Sequence, residues 1–223
     1  MGSPIENFDI RNWNDYWITS LYNQQYHTNQ WEVFRQRNLN AAKIFHDNIK
    51  FNSVVDFGCG IGSYLEYFLW AGCEIRGYEY CYDQCRQHIN KVANLEKFVS
   101  FGDVSKRMWA ENDKLYDVSM SLEVAEHIPE QLSDNLVNNL CYSSRQYIIF
   151  TAAQLGQGGT GHINCQNPMF WIEKFNLRGW FLNQQLIEKI KGDMIPQYSS
   201  GENTYPIVWS FIYNNVMVFQ KAV

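Results

Sequence analysis

The sequence predicts an α/β fold built on an open, mostly parallel sheet with helices on both faces. Three observations predict it. Short apolar runs alternate with helically periodic segments from about residue 50 to 151. The first run, Ser53-Val-Val-Asp-Phe57, is apolar without alternation and leads into glycines, as a strand buried on both faces does. At 223 residues the chain has the length of one domain with a sizeable core.

The first 50 residues read as helical, with Trp13, Tyr16, Trp17 and Leu21 at helical spacing, then Phe34, Ala41, Ile44, Phe45 and Ile49. After the first strand, a helix is expected over Gly62–Ala71, a strand over Glu74–Glu79 and a helix over Cys81–Val92. Strands over Lys97–Phe101 and Tyr116–Leu122, a helix over Pro129–Tyr142 and a strand over Gln146–Thr151 complete the alternation. Gln154–Gln166 reads as a loop. Helices are expected over Asn167–Arg178, with Pro168 in the first turn, and over Leu182–Lys191. Asn214–Gln220 reads as a final antiparallel edge strand. The expected organisation is an N-terminal helical lid, 1–50, over a ligand-binding region, 51–223, within one structural domain.

Composition narrows the function. Charged residues make up 18% of the chain and hydrophobic ones 46%, a globular balance. A net charge of −5 argues against a nucleic-acid binder that works by phosphate neutralisation. No apolar run is long enough to span a membrane, and Met1–Ile10 lacks the apolar centre of a signal peptide. The six cysteines show no pairing of close doublets of the zinc type, and Cys81 and Cys85, one helical turn apart, read as packing thiols. A reducing, cytoplasmic setting fits them. Aromatic residues reach 16%, with eight Trp, more than the core alone requires. Those at the N-terminus, Trp13, Tyr16, Trp17, Tyr22, Tyr26 and Trp31, suit a lid that stacks on rings, sugars or bases.

Val54-Val-Asp-Phe-Gly-Cys-Gly-Ile-Gly62 is the strongest motif. Its glycines permit a tight turn and let a ligand approach the backbone. Asp56 can hold the amino end of an amino-acid ligand, and Glu79 can accept hydrogen bonds from both hydroxyls of a ribose. Asp56-Phe-Gly-Cys-Gly-Ile-Gly62 resembles the first motif of class I S-adenosylmethionine-dependent methyltransferases, and Glu79 resembles their ribose-binding acid. Phe101-Gly-Asp-Val104 resembles their adenine-binding segment, with Asp103 on the adenine amino group, and Tyr116-Asp-Val-Ser-Met-Ser-Leu-Glu-Val124 their fourth motif. The resemblance implies a Rossmann-like, seven-stranded sheet and a cofactor site of Asp56, Gly58, Cys59, Gly60, Gly62, Glu79, Tyr80, Asp103, Val104 and Leu122.

Glu123-Val-Ala-Glu-His127 would place Glu123, Glu126 and His127 on one face of a helical turn at the carboxyl end of the fourth strand. With His162, on the loop after the fifth strand, they form a candidate divalent-metal set for Mg²⁺ or Mn²⁺. The pattern Glu-x-x-Glu-His resembles two magnesium-dependent O-methyltransferase families, one acting on polyprenyl catechols and one on the terminal ribose of small RNAs. Glu-His after the fourth strand also occurs in metal-free class I enzymes, where the Glu hydrogen-bonds nearby backbone and the His packs or acts as a base; without a metal, His127 or His162 is the expected general base here, with Glu126 nearby. The expected activity is O-methylation of a small, sugar-like acceptor, metal-assisted or base-assisted. RNA ribose methylation and a non-catalytic binding subunit are the alternatives, and a homodimer is compatible with all three.

Overall fold

The computed structural model describes residues 15–109, 114–195 and 207–222. Trp13 lies outside the described residues, as do the side chains of Tyr16 and Trp17.

Helices α1 (Asp15–Leu21) and α2 (Gln24–Asn29), a π-helical turn (Gln30–Phe34) and helix α3 (Arg35–Ile49) precede the sheet. Then come β1 (Ser53–Phe57), α4 (Ser63–Trp70), β2 (Glu74–Glu79), α5 (Tyr82–Ile89), β3 (Val99–Phe101) and β4 (Tyr116–Leu122). Helix α6 (Ser133–Ser143), β5 (Ser144–Thr151), α7 (Pro168–Asn176), β6 (Trp180–Leu182), α8 (Gln184–Met194), α9 (Ser210–Asn215) and β7 (Met217–Lys221) complete the described chain.

The seven strands form one sheet in the order β3-β2-β1-β4-β5-β7-β6. The first five are mutually parallel, and β7 runs antiparallel to both β5 and β6. Every residue of β1 is buried, which is why its sequence shows no alternation. Its side chains still divide between two core layers. Val54 joins Val118, Met120 and Ile149 under α3, α4, α5 and α8. Val55 and Phe57 join Ile148, Phe150 and Phe219 under α6 and α7. Chain order reverses between β1 and β4, and in open α/β sheets the crevice at that point collects ligands.

Asparagines set several helix starts. Asn23, Asn167 and Asn183 accept backbone N–H groups at the N-termini of α2, α7 and α8, and Pro168 occupies the first turn of α7.

Three expectations change. Strand β6 takes Trp180–Leu182, so α8 begins two residues later than its reading from Leu182. The strand read over Asn214–Gln220 divides: Asn214 and Asn215 end α9, and β7 spans Met217–Lys221. The 1–50 segment is not uniform. Ala41, Ala42, Ile44 and Phe45 of α3 are buried in the core layer against the sheet, whereas Tyr22, Tyr26 and Phe34 border an open cavity.

Candidate active site

A cavity of about 520 Å³ opens at the carboxyl ends of β1, β2 and β4. That lies within the roughly 300–1,000 Å³ of small-molecule sites. All of the expected site residues line it except Gly62.

The β1–α4 loop forms the floor. Gly58 and Cys59 donate their N–H groups to the Tyr78 carbonyl of β2 at 2.8 and 3.1 Å. Gly58 has φ +87°, and a Cβ there would sit 2.5 Å from Val124 Cγ2. Glycine is therefore required twice over, for the left-handed backbone and for the close approach of the turn after β4. Gly62, at φ +77°, does not touch the cavity; it opens α4 and leaves no room for a Cβ against Leu95, 2.8 Å away. Gly58→Ala is expected to cost roughly 1–3 kcal/mol, through overpacking and backbone strain. Chemical denaturation checks this, and an unchanged midpoint would contradict it.

Glu79 ties the loop to β2. Its Oε2 accepts from Gly60 N at 2.7 Å and its Oε1 from Cys81 N at 2.8 Å. Burial pushes its pKa up, and these backbone donors counter that. Each oxygen keeps a lone pair for a further donor. Asp56 is buried with Oδ1 unpartnered. Burial raises its pKa well above its ordinary value, and the Glu79 charge adds to this. Ser63 Oγ, at the start of α4, is likewise buried and unpartnered. An amino acid's ammonium and carboxylate would satisfy Asp56 and Ser63 respectively. Asp103 Oδ1 accepts from Ser105 N at 3.1 Å and Ser105 Oγ at 2.5 Å, while Oδ2 pairs with the exposed Lys106 at 2.8 Å.

The turn after β4 differs from the expected helix. Glu123 has φ +55°, and only Ala125–His127 forms a 3₁₀ turn. The left-handed residue takes Glu123 off the face expected to hold it with Glu126 and His127. The structure gathers Glu126, His127 and His162, one ligand atom of each lying within 4.8 Å of the others. Glu126 is fully buried, and neither carboxylate oxygen has a partner at hydrogen-bonding geometry. Burial drives its pKa well up, the charge of Glu123 and a contact with the Glu123 carboxyl add to that, and the nearby N–H groups of Glu126 and Ala153 oppose it. His162 Nε2 lies 4.0 Å from Glu126 Oε1.

Both imidazoles are oriented through Nδ1. His162 Nδ1 lies 3.3 Å from the Gln157 carbonyl, and His127 Nδ1 lies 3.1 Å from the Gly161 carbonyl. Tyr22 donates its hydroxyl to Thr160 O at 2.8 Å and can accept from His127 Nδ1 at 2.9 Å. Carbonyl partners favour the proton on Nδ1 of each ring; His127 Nε2 lies 3.4 Å from the Tyr22 hydroxyl, and His162 Nε2 faces the Glu126 carboxylate. Burial pushes the pKa of His127 down to about 4, so this ring is neutral at ordinary pH. A buried carboxylate beside two imidazoles is a donor set of the kind that holds a divalent ion, Zn²⁺ or Fe²⁺ as readily as Mn²⁺.

The upper wall comes from the N-terminal helices. Tyr22 and Tyr26 pack edge to face, with ring centroids 4.9 Å apart. Trp31, expected with them, turns away: it stacks on His88 of α5 at 5.6 Å, with Arg35 and Lys91 over its ring. His27 went unread in the sequence; it borders the cavity, is buried with both ring nitrogens unpartnered, and has its pKa pushed down to about 4 by burial. Nothing in its local sequence marks it. All six cysteines are free, and five are buried.

Fold and site together define a class I methyltransferase. Residues 26–141, just over half of the chain, match the family described as "Methyltransferase domain". The chain belongs to that family and is an S-adenosylmethionine-dependent methyltransferase. No curated protein matches the sequence. Among solved structures, the 1,6-didemethyltoxoflavin-N1-methyltransferase of Burkholderia thailandensis, with S-adenosylhomocysteine bound, is similar over 100% of this chain and 94% of its own, at TM-score 0.62 and 12% identity. The magnesium protoporphyrin IX methyltransferase of Synechocystis PCC 6803, with S-adenosylmethionine bound, is similar over 98% and 88%, at TM-score 0.53 and 15% identity. The mitomycin 7-O-methyltransferase MmcR is similar over 96% and 62%, at TM-score 0.61 and 11% identity. Among the described residues, no helix is long and apolar enough to cross a membrane.

Proposed function

We propose that this chain methylates an oxygen of a small, uncharged, sugar-like acceptor carrying adjacent hydroxyls, with a divalent cation at Glu126, His127 and His162. The observation that carries the reading is the buried Glu126 carboxylate, 4.0 Å from His162 Nε2, beside two imidazoles whose Nδ1 atoms face backbone carbonyls.

In this reading Asp56 takes the cofactor's amino group and Glu79 its ribose hydroxyls, while Asp103, Val104 and Tyr80 flank the adenine. Gly58, Cys59 and Gly60 bring the backbone against it, and Leu122 closes the floor. S-adenosylmethionine supplies a methyl group on a sulfonium, transferred by in-line displacement, so the protein contributes chiefly alignment. A divalent cation supplies Lewis acidity that lowers the pKa of a hydroxyl. The Tyr22 and Tyr26 rings face the sugar, and the helices that carry them act as the lid. Among the described residues no Lys or Arg lines the cavity. That supports an uncharged acceptor over RNA or a sugar phosphate, which would call for basic partners. Without a cation, His162 becomes the general base.

The test is tritiated-methyl transfer from S-adenosylmethionine to a panel of uncharged monosaccharides and glycosides with adjacent hydroxyls, with an RNA oligonucleotide alongside. Transfer to the sugars is expected to stop in EDTA and to return with Mn²⁺. Full transfer by metal-stripped protein would reject the cation and leave the histidine base. Transfer only to RNA would reject the sugar reading.

A further inference from the structure

We propose that Gln157 and Asn215 are positioning residues for the divalent-cation cluster, holding the Glu123 carboxylate against Glu126, outside the three clustered ligands, and fixing the ring of His162. This rests on the cation reading above.

Glu123 is one of few non-glycine residues with a left-handed backbone, a conformation that costs on the order of 1 kcal/mol and persists only where its surroundings enforce it. Here they do. The Glu123 N–H donates to Thr151 Oγ1 at 2.8 Å. The carboxylate is then held by two amides: Asn215 Nδ2 donates to Oε1 at 3.0 Å, and Gln157 Nε2 lies 3.4 Å from Oε2. The amides are locked to each other, since Asn215 Nδ2 also lies 3.0 Å from Gln157 Oε1. Gln154 Nε2 donates to Asn215 Oδ1 at 3.2 Å, so both polar atoms of this buried side chain are engaged.

Gln157 acts on two groups at once. Its side chain meets Glu123, and its carbonyl faces His162 Nδ1 at 3.3 Å and accepts weakly from Cys165 Sγ at 3.6 Å. A single loop residue thus couples the orientation of the carboxylate to that of the imidazole. Asn215 comes from the far end of the chain, where α9 meets β7.

The chemistry of the donors matters. A Lys or Arg on Glu123 would neutralise it and compete with a cation. Amide N–H groups orient a carboxylate and leave its charge in place. Three clustered ligand atoms fall short of the six donors that Mg²⁺ or Mn²⁺ prefers, and a fixed carboxylate against Glu126 adds charge to the cluster. Outer partners of this kind typically change metal affinity by about 10–100-fold.

The experiment is titration of the full chain with Mn²⁺ alone, read by electron paramagnetic resonance, with S-adenosylhomocysteine affinity as the check on folding. Asn215→Leu and Gln157→Leu are each expected to weaken Mn²⁺ about tenfold, with S-adenosylhomocysteine affinity unchanged. Glu123→Gln should weaken it similarly, and Asn215→Leu added to Glu123→Gln should weaken it no further, because the amide acts through that carboxylate. Should Asn215→Leu lose S-adenosylhomocysteine binding, Gln157→Leu, on the loop, carries the test. Wild-type affinity for Mn²⁺ in the Leu variants would overturn the positioning role and leave the cation site standing. Absence of Mn²⁺ binding by the wild-type chain would overturn the cation site itself.

Discussion

Glu126→Gln is expected to weaken Mn²⁺ binding at least a hundredfold and to reduce Mn²⁺-supported methyl transfer by a similar factor, while S-adenosylhomocysteine affinity stays within about twofold. The variant keeps the shape of the side chain and removes its charge. It also separates a ligand from a structural group through stability. Burial and the Glu123 charge raise the pKa of Glu126 in the folded chain above its unfolded value. A raised carboxyl contributes stability that is present below the unfolded pKa and is lost as pH rises through the folded one. Above that point the empty site carries an uncompensated buried charge. In EDTA, Glu126→Gln should therefore melt higher than wild type, by a margin that grows with pH, and added Mn²⁺ should reverse the order. A variant that melts lower than wild type at every pH, with or without Mn²⁺, would make Glu126 a packing residue.

Arg35→Ala is expected to destabilise the chain by about 3–5 kcal/mol. Glu66 of α4 is 1% exposed. Arg35, at the start of α3, meets it with two parallel contacts, Nε to Oε2 at 2.8 Å and Nη2 to Oε1. The same guanidinium lies 4.8 Å from the Trp31 ring and 5.9 Å from the Trp70 ring. Truncating Arg35 leaves the Glu66 charge in the interior without a counter-ion, the costly way to break such a pair. Stabilities of natural domains are about 5–15 kcal/mol, so this loss is a large fraction. The melting temperature should fall by roughly 10 °C in scanning calorimetry. Arg35→Met combined with Glu66→Leu should recover most of it, because the buried charge is gone. A fall of only a degree or two in the single variant would show that the pair is solvated.

The sheet was legible wherever burial and glycine write themselves into a short segment. Strand β1 combines an apolar run with the glycines of its loop, β2 ends on Glu79, and β4 runs into Glu123. Strand β6 was not legible. Its three residues form a strand because β7 pairs with them across the sheet, a contact that no local pattern records. Helix α9 escaped for a related reason: Ser210–Asn215 is a single aromatic-rich helical stretch too short to show a period.

The site divides the same way. Asp56 and Glu79 sit near the carboxyl ends of β1 and β2 and Asp103 follows β3, the positions for which the sequence singled them out, and all three line the cavity. The helical spacing of Glu123, Glu126 and His127 grouped residues that the backbone brings together only in part: Glu126 and His127 meet His162, while Thr151 and Asn215 hold Glu123 left-handed from outside the motif. Gln157 and Asn215 carry no signature, since an amide acquires a role only from the groups that meet it. His27 is the same case on the lid.

The central claim is that the crevice between β1, β2 and β4 binds the adenosyl cofactor, and isothermal titration of S-adenosylhomocysteine into wild-type and Glu79→Ala chains tests it most directly. The wild type should bind one equivalent. Glu79→Ala should bind at least tenfold more weakly, since two hydrogen bonds to a charged acceptor are worth about 1.5 kcal/mol or more together. Equal affinity in the two chains, or no binding by the wild type, would contradict the account.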